Sequence, residues 1–277
     1  MSDQKVWLVT GASKGLGLAL VKLLLSQGKK VAATSRNSKA LEAVSVENKE
    51  NLLPLSVDLT DDESVKAAVT QTVEKFGKID VIVNNAGYSL VGSMEEISDQ
   101  EFRETIDVNL FGTVNAIRAV MPYFRKQGSG HFINISSNAG YVGFANASSY
   151  NAAKFAVIGI SEALSEETKA FGIKVTVVAP GQFRTSFMDE GSLTFAKNRI
   201  DVYKLDEAEK MWREFSGKQK GDPEKLVKIL TEIAELPEPP LHLILGTDSY
   251  ELVTSQREKE KAELETWKDL TLSTDFD

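Results

Sequence analysis

The chain has no cysteine among its 277 residues. That excludes a disulfide framework, a thiolate nucleophile and any cysteine-ligated metal. Histidine is almost as scarce: His131 and His242 are the only two, too few for a multi-histidine metal site. No apolar run approaches the ~18 residues of a membrane-spanning helix. Positive charge is in deficit, with 32 Lys and Arg against 40 Asp and Glu, a net charge of −8. A chain of that sign is a poor binder of nucleic-acid backbone in bulk, so no nucleic-acid partner is expected. The opening Met1-Ser2-Asp3-Gln4-Lys5 runs straight into a strand-like segment and leaves no room for a secretory leader. The expectation is a cytoplasmic protein with neither a metal nor a membrane partner.

What is present is ordinary globular material: 42% hydrophobic and 26% charged residues, enough to bury a large core. Short apolar runs alternate with segments of helical spacing. Lys5–Thr10, Lys30–Ser35, Leu52–Val57, Ile79–Asn84, His131–Ile135, Lys174–Ala179 and Leu241–Leu245 read as seven strands. Pro54 makes the start of the third uncertain. Leu16, Leu20, Leu23 and Leu24 share a helical face that Gly28 ends. Thr60-Asp61-Asp62-Glu63 and Ser98-Asp99-Gln100-Glu101 have capping-box form, opening helices to Phe76 and to about Lys126. Further helices are expected over about Ser149–Phe171 and over Asp222–Glu235. This rhythm implies a doubly wound, all-parallel sheet with helices on both faces.

After Pro180 the rhythm breaks. Residues 182–221 are more polar, with scattered aromatics and a helix around Asp206–Phe215. At the carboxyl edge of a parallel sheet, such an insertion reads as a substrate lid within a single domain spanning 1–277. Residues 250–277 read as a charged C-terminal helix and solvated tail, with eight acids and four bases from Glu251 onward.

The first strand ends in Thr10-Gly11-Ala12-Ser13-Lys14-Gly15-Leu16-Gly17. Glycines there allow a sharp turn, close approach of a ligand and close packing of the new helix. The helix N-terminus then suits a pyrophosphate. The spacing is not GxGxxG, so the turn alone is a weak signal of a nucleotide. Its position between a strand and a helix strengthens it. The second strand ends in Thr34-Ser35-Arg36-Asn37 with no carboxylate. A carboxylate there would bind the ribose 2′-hydroxyl of NAD, whereas Arg36 and Lys14 suit a 2′-phosphate. The reading is NADP(H), preferred over NAD(H). Asp58, with Leu59 beside it past the third strand, suits the adenine.

Tyr150 and Lys154 are four residues apart at the start of a helix and share a face. An ammonium nearby favours the phenolate and tunes the phenol for acid–base work. Ser136 or Ser137, at the end of the fifth strand, can share a developing oxyanion. Asn109 is a poor helix former among apolar neighbours and so needs a reason. Tyr141, Phe144, Phe187 and Met188 supply apolar surface for a lipophilic substrate.

Taken together these pieces resemble the classical short-chain dehydrogenase/reductase family. The matches are Thr10–Gly17 as TGxxxGxG, Asn84-Asn85-Ala86-Gly87, Asn109 in Asp107-Val108-Asn109-Leu110, Tyr150 with Lys154, and Pro180-Gly181, in family order over about residues 5–245. The resemblance implies a Rossmann-type fold of about seven strands. It implies Tyr150 as general acid–base and Lys154 as the group that lowers the Tyr150 pKa and holds the nicotinamide ribose. Ser137, thirteen residues before Tyr150, matches the family serine better than Ser136. Asn109 is implied to hold a water that links Lys154 to solvent. Asn85, Ala86 and Gly87 would line the adenine-ribose side, and Pro180, Gly181, Phe183 and Thr185 the nicotinamide. A homodimer or homotetramer through the helices bearing Asn109 and Tyr150 is also implied.

More loosely, Leu241–Val253 and the run after Gly181 are similar to the 17β-hydroxysteroid-dehydrogenase-like branch. The expected activity is NADPH-dependent reduction of a small hydrophobic carbonyl compound, or the reverse alcohol oxidation. A non-catalytic NADP(H)-binding sensor or scaffold is the alternative. A dehydratase or epimerase on the same fold fits the first-turn spacing less well.

Overall fold

Seven short strands make one parallel sheet, in the spatial order Leu52–Ser56, Lys30–Ser35, Val6–Val9, Val81–Asn84, Gly130–Ile135, Ile173–Pro180, His242–Leu245. The structure is a computed structural model that describes residues 4–42, 44 and 49–276. The opening Met1–Asp3 and the last residue of the expected tail, Asp277, lie outside the described residues.

In chain order the elements begin β1 (Val6–Val9), α1 (Gly15–Ser26), β2 (Lys30–Ser35) and the single turn α2 (Lys39–Glu42). Next come β3 (Leu52–Ser56), α3 (Asp62–Phe76), β4 (Val81–Asn84) and β5 (Ser89–Val91). The middle holds α4 (Asp99–Ile106), a π-helical turn (Asp107–Phe111), α5 (Gly112–Gln127), β6 (Gly130–Ile135) and α6 (Ser148–Thr168). Then follow β7 (Ile173–Pro180), β8 (Leu193–Phe195), α7 (Leu205–Phe215) and α8 (Pro223–Ile233). The chain closes with β9 (His242–Leu245), α9 (Thr247–Thr266) and α10 (Lys268–Leu272).

Both faces of the sheet are covered, which is why its strands are mostly apolar rather than alternating. Trp7 and Val9 face one way, against Leu20, Leu24, Leu226 and Leu230 of α1 and α8. Leu8 faces the other, with Ile82 and Phe132, against Val69, Val120 and Phe124 of α3 and α5. Pro54 is tolerated because β3 is an edge strand, where a missing N–H breaks no central ladder. The strand order reverses between β1 and β4. A crevice opens there at the carboxyl ends of the strands.

Several local expectations shift. Helix α3 is capped by Asp61, which accepts from Glu63 N at 3.0 Å. Thr60 gives both its N–H and its hydroxyl to Asp58, and this local turn moves the cap along by one residue. Ser98 and Glu101 form the full capping box. The single long helix expected after Ser98 is instead interrupted by the π turn that carries Asn109. Strands β5 and β8 were not legible: three residues each, they pair in parallel as a separate two-stranded sheet. Helix α9 starts at Thr247, ahead of the expected tail, and Ser249 and Val253 are buried in it.

Candidate active site

Strand β1 delivers the chain into the crevice through Gly11, whose φ is +64°. A Cβ there would stand 2.6 Å from Ala86 Cα, so this position needs glycine for both its torsion and its neighbour. Gly17 lies beneath the turn, where a Cβ would stand 2.7 Å from Asn85 Nδ2. It lets α1 pack against the segment after β4 but does not itself line the cavity. Asn85 Nδ2 donates to the carbonyls of Thr10 and Gly11, and Thr10 Oγ1 accepts from Asn85 N and Ala86 N. The two strand ends are thus tied together around the turn.

One cavity of ≈ 1250 Å³ runs along these strand ends. Gly11, Ser13, Lys14, Gly15, Leu16, Arg36, Asp58, Leu59, Asn85, Ala86 and Gly87 line it. So do Ser137, Phe144, Tyr150, Lys154, Pro180, Gly181, Phe183, Thr185, Phe187 and Met188. Lys14 and Arg36 are exposed at the cavity wall, and no ion pair among the described residues engages either. Asp58 turns its carboxylate to Thr60, and that hydroxyl and N–H, with the Arg36 charge, hold its pKa below the usual carboxylate range.

Tyr150 and Lys154 sit on the first turns of α6, with Lys154 Nζ 5.6 Å from the centre of the Tyr150 ring. Lys154 is buried, donates to Ile135 O at 2.9 Å, and is lowered by that burial to about 8. The expected lowering of the Tyr150 phenol does not appear in this arrangement. Burial pushes it up to about 12, and the hydrogen bond with Ser137 pulls it only partly back. Ser136 is committed elsewhere, donating to Lys154 O at 2.9 Å and so pinning α6 to β6. Ser137 accepts from Ala139 N and reaches Tyr150.

Asn109 is fully buried and does not line the cavity. Its Nδ2 donates to Tyr88 O at 3.0 Å and Thr105 O at 2.8 Å, and its Oδ1 accepts from Tyr88 N at 3.1 Å. Both amide hydrogens are therefore spent on protein carbonyls. A Cβ on Gly87 would collide with Asn109 Oδ1 and lie 3.5 Å from Lys154 Nζ. Gly87 is what allows these two side chains to approach.

Tyr141 is the clear correction. It is absent from the cavity wall; its hydroxyl meets His242 Nδ1 at 2.6 Å, and Arg257 lies 5.5 Å from its ring centre. A half-buried phenol needs a polar partner, and β9 supplies one on the far side of the loop. Phe187 approaches Tyr150, with ring centres 6.2 Å apart.

The segment after Pro180 is anchored in three places. Gly221 N donates to Gln182 O, Arg184 N to Gly221 O, and the Arg184 guanidinium twice to Gln219 O. Strand β8 pairs with β5, and Ala196 N donates to Val91 O. Finally, Glu101 accepts from Lys197 N and the fully buried Glu96 from Ile200 N. Burial pushes both carboxyls up, but these and the serine donors outweigh it and leave them below the usual range.

Some lining residues carried no sequence signal. Leu90 and Val91 reach the cavity through the short strand β5. Asp248 and Leu252 reach it from α9, with Asp248 Oδ2 accepting from Gln182 N at 2.7 Å. Ser186 Oγ is buried without a partner, 3.4 Å from where a Gly15 Cβ would stand.

Comparison with known proteins agrees with this architecture. The short chain dehydrogenase family model matches residues 5–194. Oxidoreductase BOA17 of Botryotinia fuckeliana is 38% identical over 274 residues, covering 98% of this chain and 99% of that protein. The 3-ketodihydrosphingosine reductase of Bacteroides thetaiotaomicron is 36% identical over 247 residues, 87% and 88% of the two chains. A short-chain dehydrogenase from Streptomyces avermitilis superposes with a TM-score of 0.89 at 34% identity, covering 98% of this chain and all of that one (100%). ElxO, solved with NADP bound, gives 0.72 at 27% identity over 87% and 96%. A 3-ketoacyl-(acyl-carrier-protein) reductase from Brucella melitensis complexed with NADH gives 0.72 at 25% over 88% and 98%. No described helix is long and apolar enough to cross a membrane. With its seven-stranded parallel sheet and a family match over most of its length, the chain belongs to the short-chain dehydrogenase family and is an oxidoreductase of that type.

Proposed function

We propose that this chain is an NADPH-dependent carbonyl reductase acting on a small, lipophilic ketone or aldehyde. The observation that carries the reading is a single cavity whose wall includes Ser137, Tyr150 and Lys154 together with the glycine turn, Lys14 and Arg36.

A dinucleotide fits the residues present. The unpartnered Ser186 hydroxyl faces the space beside Gly15 that any side chain would fill. Gly11, Ser13, Lys14, Gly15 and Leu16 would hold the pyrophosphate, and Arg36 with Lys14 the 2′-phosphate. Asp58 and Leu59 would border the adenine, Asn85, Ala86 and Gly87 its ribose, and Pro180, Gly181, Phe183 and Thr185 the nicotinamide. The bound cofactor supplies the hydride.

The protein's own residues handle the proton and the geometry. Tyr150, with a pKa of about 12, is protonated at neutral pH and enters as the acid that protonates the carbonyl oxygen. Ser137 donates to the same oxygen as charge develops on it. Lys154, at about 8, is mostly cationic at neutral pH and stabilises the phenolate that Tyr150 becomes. Asn109 keeps the segment after Gly87 in place, and its main chain is what remains for a water.

Leu90, Phe144, Phe187, Leu193, Phe195 and Trp212 are the large apolar side chains of the remaining wall, which Ser192, Thr194 and Lys197 share. They favour an apolar body over a sugar or charged acid. The relative named as a reductase of a keto compound and the looser 17β-hydroxysteroid-dehydrogenase-like resemblance point the same way. Residues 182–221 act as the substrate lid within a single domain, and Phe111 and Phe155, 47% and 45% exposed, serve as subunit contacts of a homodimer or homotetramer.

Purified protein mixed with NADPH and a panel of lipophilic ketones and aldehydes tests the reading. Loss of nicotinamide absorbance with at least one of them is expected. Tight NADPH binding without turnover of any would favour a sensor or scaffold instead.

A further inference from the structure

Asn151 follows Tyr150 on α6, and its residue type has no role in the Tyr-Lys motif. It is 8% exposed, and its side-chain amide is fully engaged. Nδ2 donates to Ala139 O at 2.7 Å and to Val142 O at 2.8 Å, while Oδ1 accepts from Phe144 N at 3.1 Å. All three partners belong to the loop that leaves Ser137 and ends at Phe144, and both of those residues line the cavity.

The hydrogen bonds within the loop are few. Gly140 N to Ser137 O, Tyr141 N and Val142 N to Asn138 O, and Ala139 N to Ser137 Oγ all belong to its first turn. They leave the Ala139 and Val142 carbonyls pointing at α6, where Asn151 satisfies both. A planar amide with two donors and one acceptor fixes three points of the loop at once. Aspartate has the size but not the donors, and serine lacks the reach. On the opposite side, Tyr141 ties the same loop to His242.

We infer that Asn151 is a positioning residue that sets the Ser137–Phe144 loop against the neighbouring Tyr150. The inference rests on the proposed roles of Tyr150 and Ser137. Its consequence is that the spacing between the serine hydroxyl and the phenol is set by the residue beside that phenol.

Asn151→Ala and Asn151→Asp test it, each compared with the parent protein for steady-state kinetics, NADPH affinity by fluorescence titration, and hydrogen exchange of the 137–144 segment with NADPH present. Asn151→Asp keeps the side-chain volume and the acceptor for Phe144 N, so it carries the test if the alanine protein does not fold. The expected result is a fall in kcat of about 10²-fold, the scale of a roughly 1 Å misplacement, with NADPH affinity unchanged and exchange accelerated at 139–144. Unchanged kcat and exchange overturn the inference. So does a loss of kcat matched by an equal loss of NADPH affinity, which marks general loosening. Should the parent protein reduce no carbonyl, the proposed function fails, while the exchange data still decide whether Asn151 holds the loop.

Discussion

The proposed preference for NADPH over NADH rests on two cations, and its expected size follows from their surroundings. Arg36 and Lys14 are exposed. A charge-assisted hydrogen bond contributes about 1.5–3 kcal/mol in a shielded site. Solvent screening reduces that toward ~1 kcal/mol. For Arg36 the Asp58 carboxylate, near enough to be felt electrostatically, takes a further share. With ~1.4 kcal/mol per tenfold, Arg36→Ala should weaken NADPH by up to about 5-fold and Lys14→Ala/Arg36→Ala by up to about 25-fold if the two add. NADH lacks the 2′-phosphate and should stay within about twofold in Arg36→Ala, while the double variant should weaken it further because Lys14 also faces the pyrophosphate. Arg36→Asp adds a carboxylate where a ribose hydroxyl would lie and should turn the preference toward NADH. Fluorescence titration of each protein with both cofactors measures this, and repeating it in high salt should weaken NADPH more than NADH. Equal weakening of both cofactors in Arg36→Ala, or none of either, refutes the assignment of Arg36 to the extra phosphate.

Tyr150→Phe keeps the ring that meets Phe187 and removes only the hydroxyl; kcat should fall by about 10²–10⁴-fold with NADPH affinity intact, and turnover at the parent rate would remove Tyr150 from the chemistry. Buried His131, its Nε2 2.9 Å from Thr176 Oγ1, is held at about 3 by burial and by the nearby Lys174 and Lys5 charges. Its unfolded value is near 6.5, so the unfolded chain binds the proton first, and this stabilisation is full above about pH 6.5 and is lost as pH falls toward 3. Denaturant unfolding from pH 7 to 4 should therefore show a shallower loss of stability in His131→Gln than in the parent; parallel slopes would deny the histidine that part. Gly17→Ala drives a Cβ to 2.7 Å from Asn85 Nδ2; it should cost about 1–3 kcal/mol of stability and weaken NADPH through the displaced turn, and an unchanged thermal midpoint would show that the turn has room to give.

The parts of this molecule that follow from local periodicity were legible in its sequence. The strands of the central sheet are predominantly apolar runs because α1 and α8 cover one face and α3 and α5 the other, and a run of that kind announces itself. Tyr150 and Lys154 were legible for a similar reason, since one helical turn relates them. What escaped was set by contacts between distant segments. Strand β5 is only Ser89–Val91, and it becomes a strand because β8, about a hundred residues later, lies alongside. Three residues carry no period to read, so no window over either segment alone distinguishes it from loop. Tyr141 looked like a cavity residue because it is aromatic and close to Ser137. Its direction was decided by His242, a partner that only the pairing of β9 with β7 brings near. The pKa of Tyr150 was misjudged for a related reason. Spacing along a helix puts an ammonium within reach of a phenol, but it does not say how deep the phenol is buried. Here Lys154 gives one of its three N–H donors to Ile135 O, and burial raises the phenol instead of letting it fall. With its pKa raised, the phenol keeps its proton at neutral pH, as the proposed role of acid requires, and Lys154 is left to stabilise the phenolate once that proton has gone.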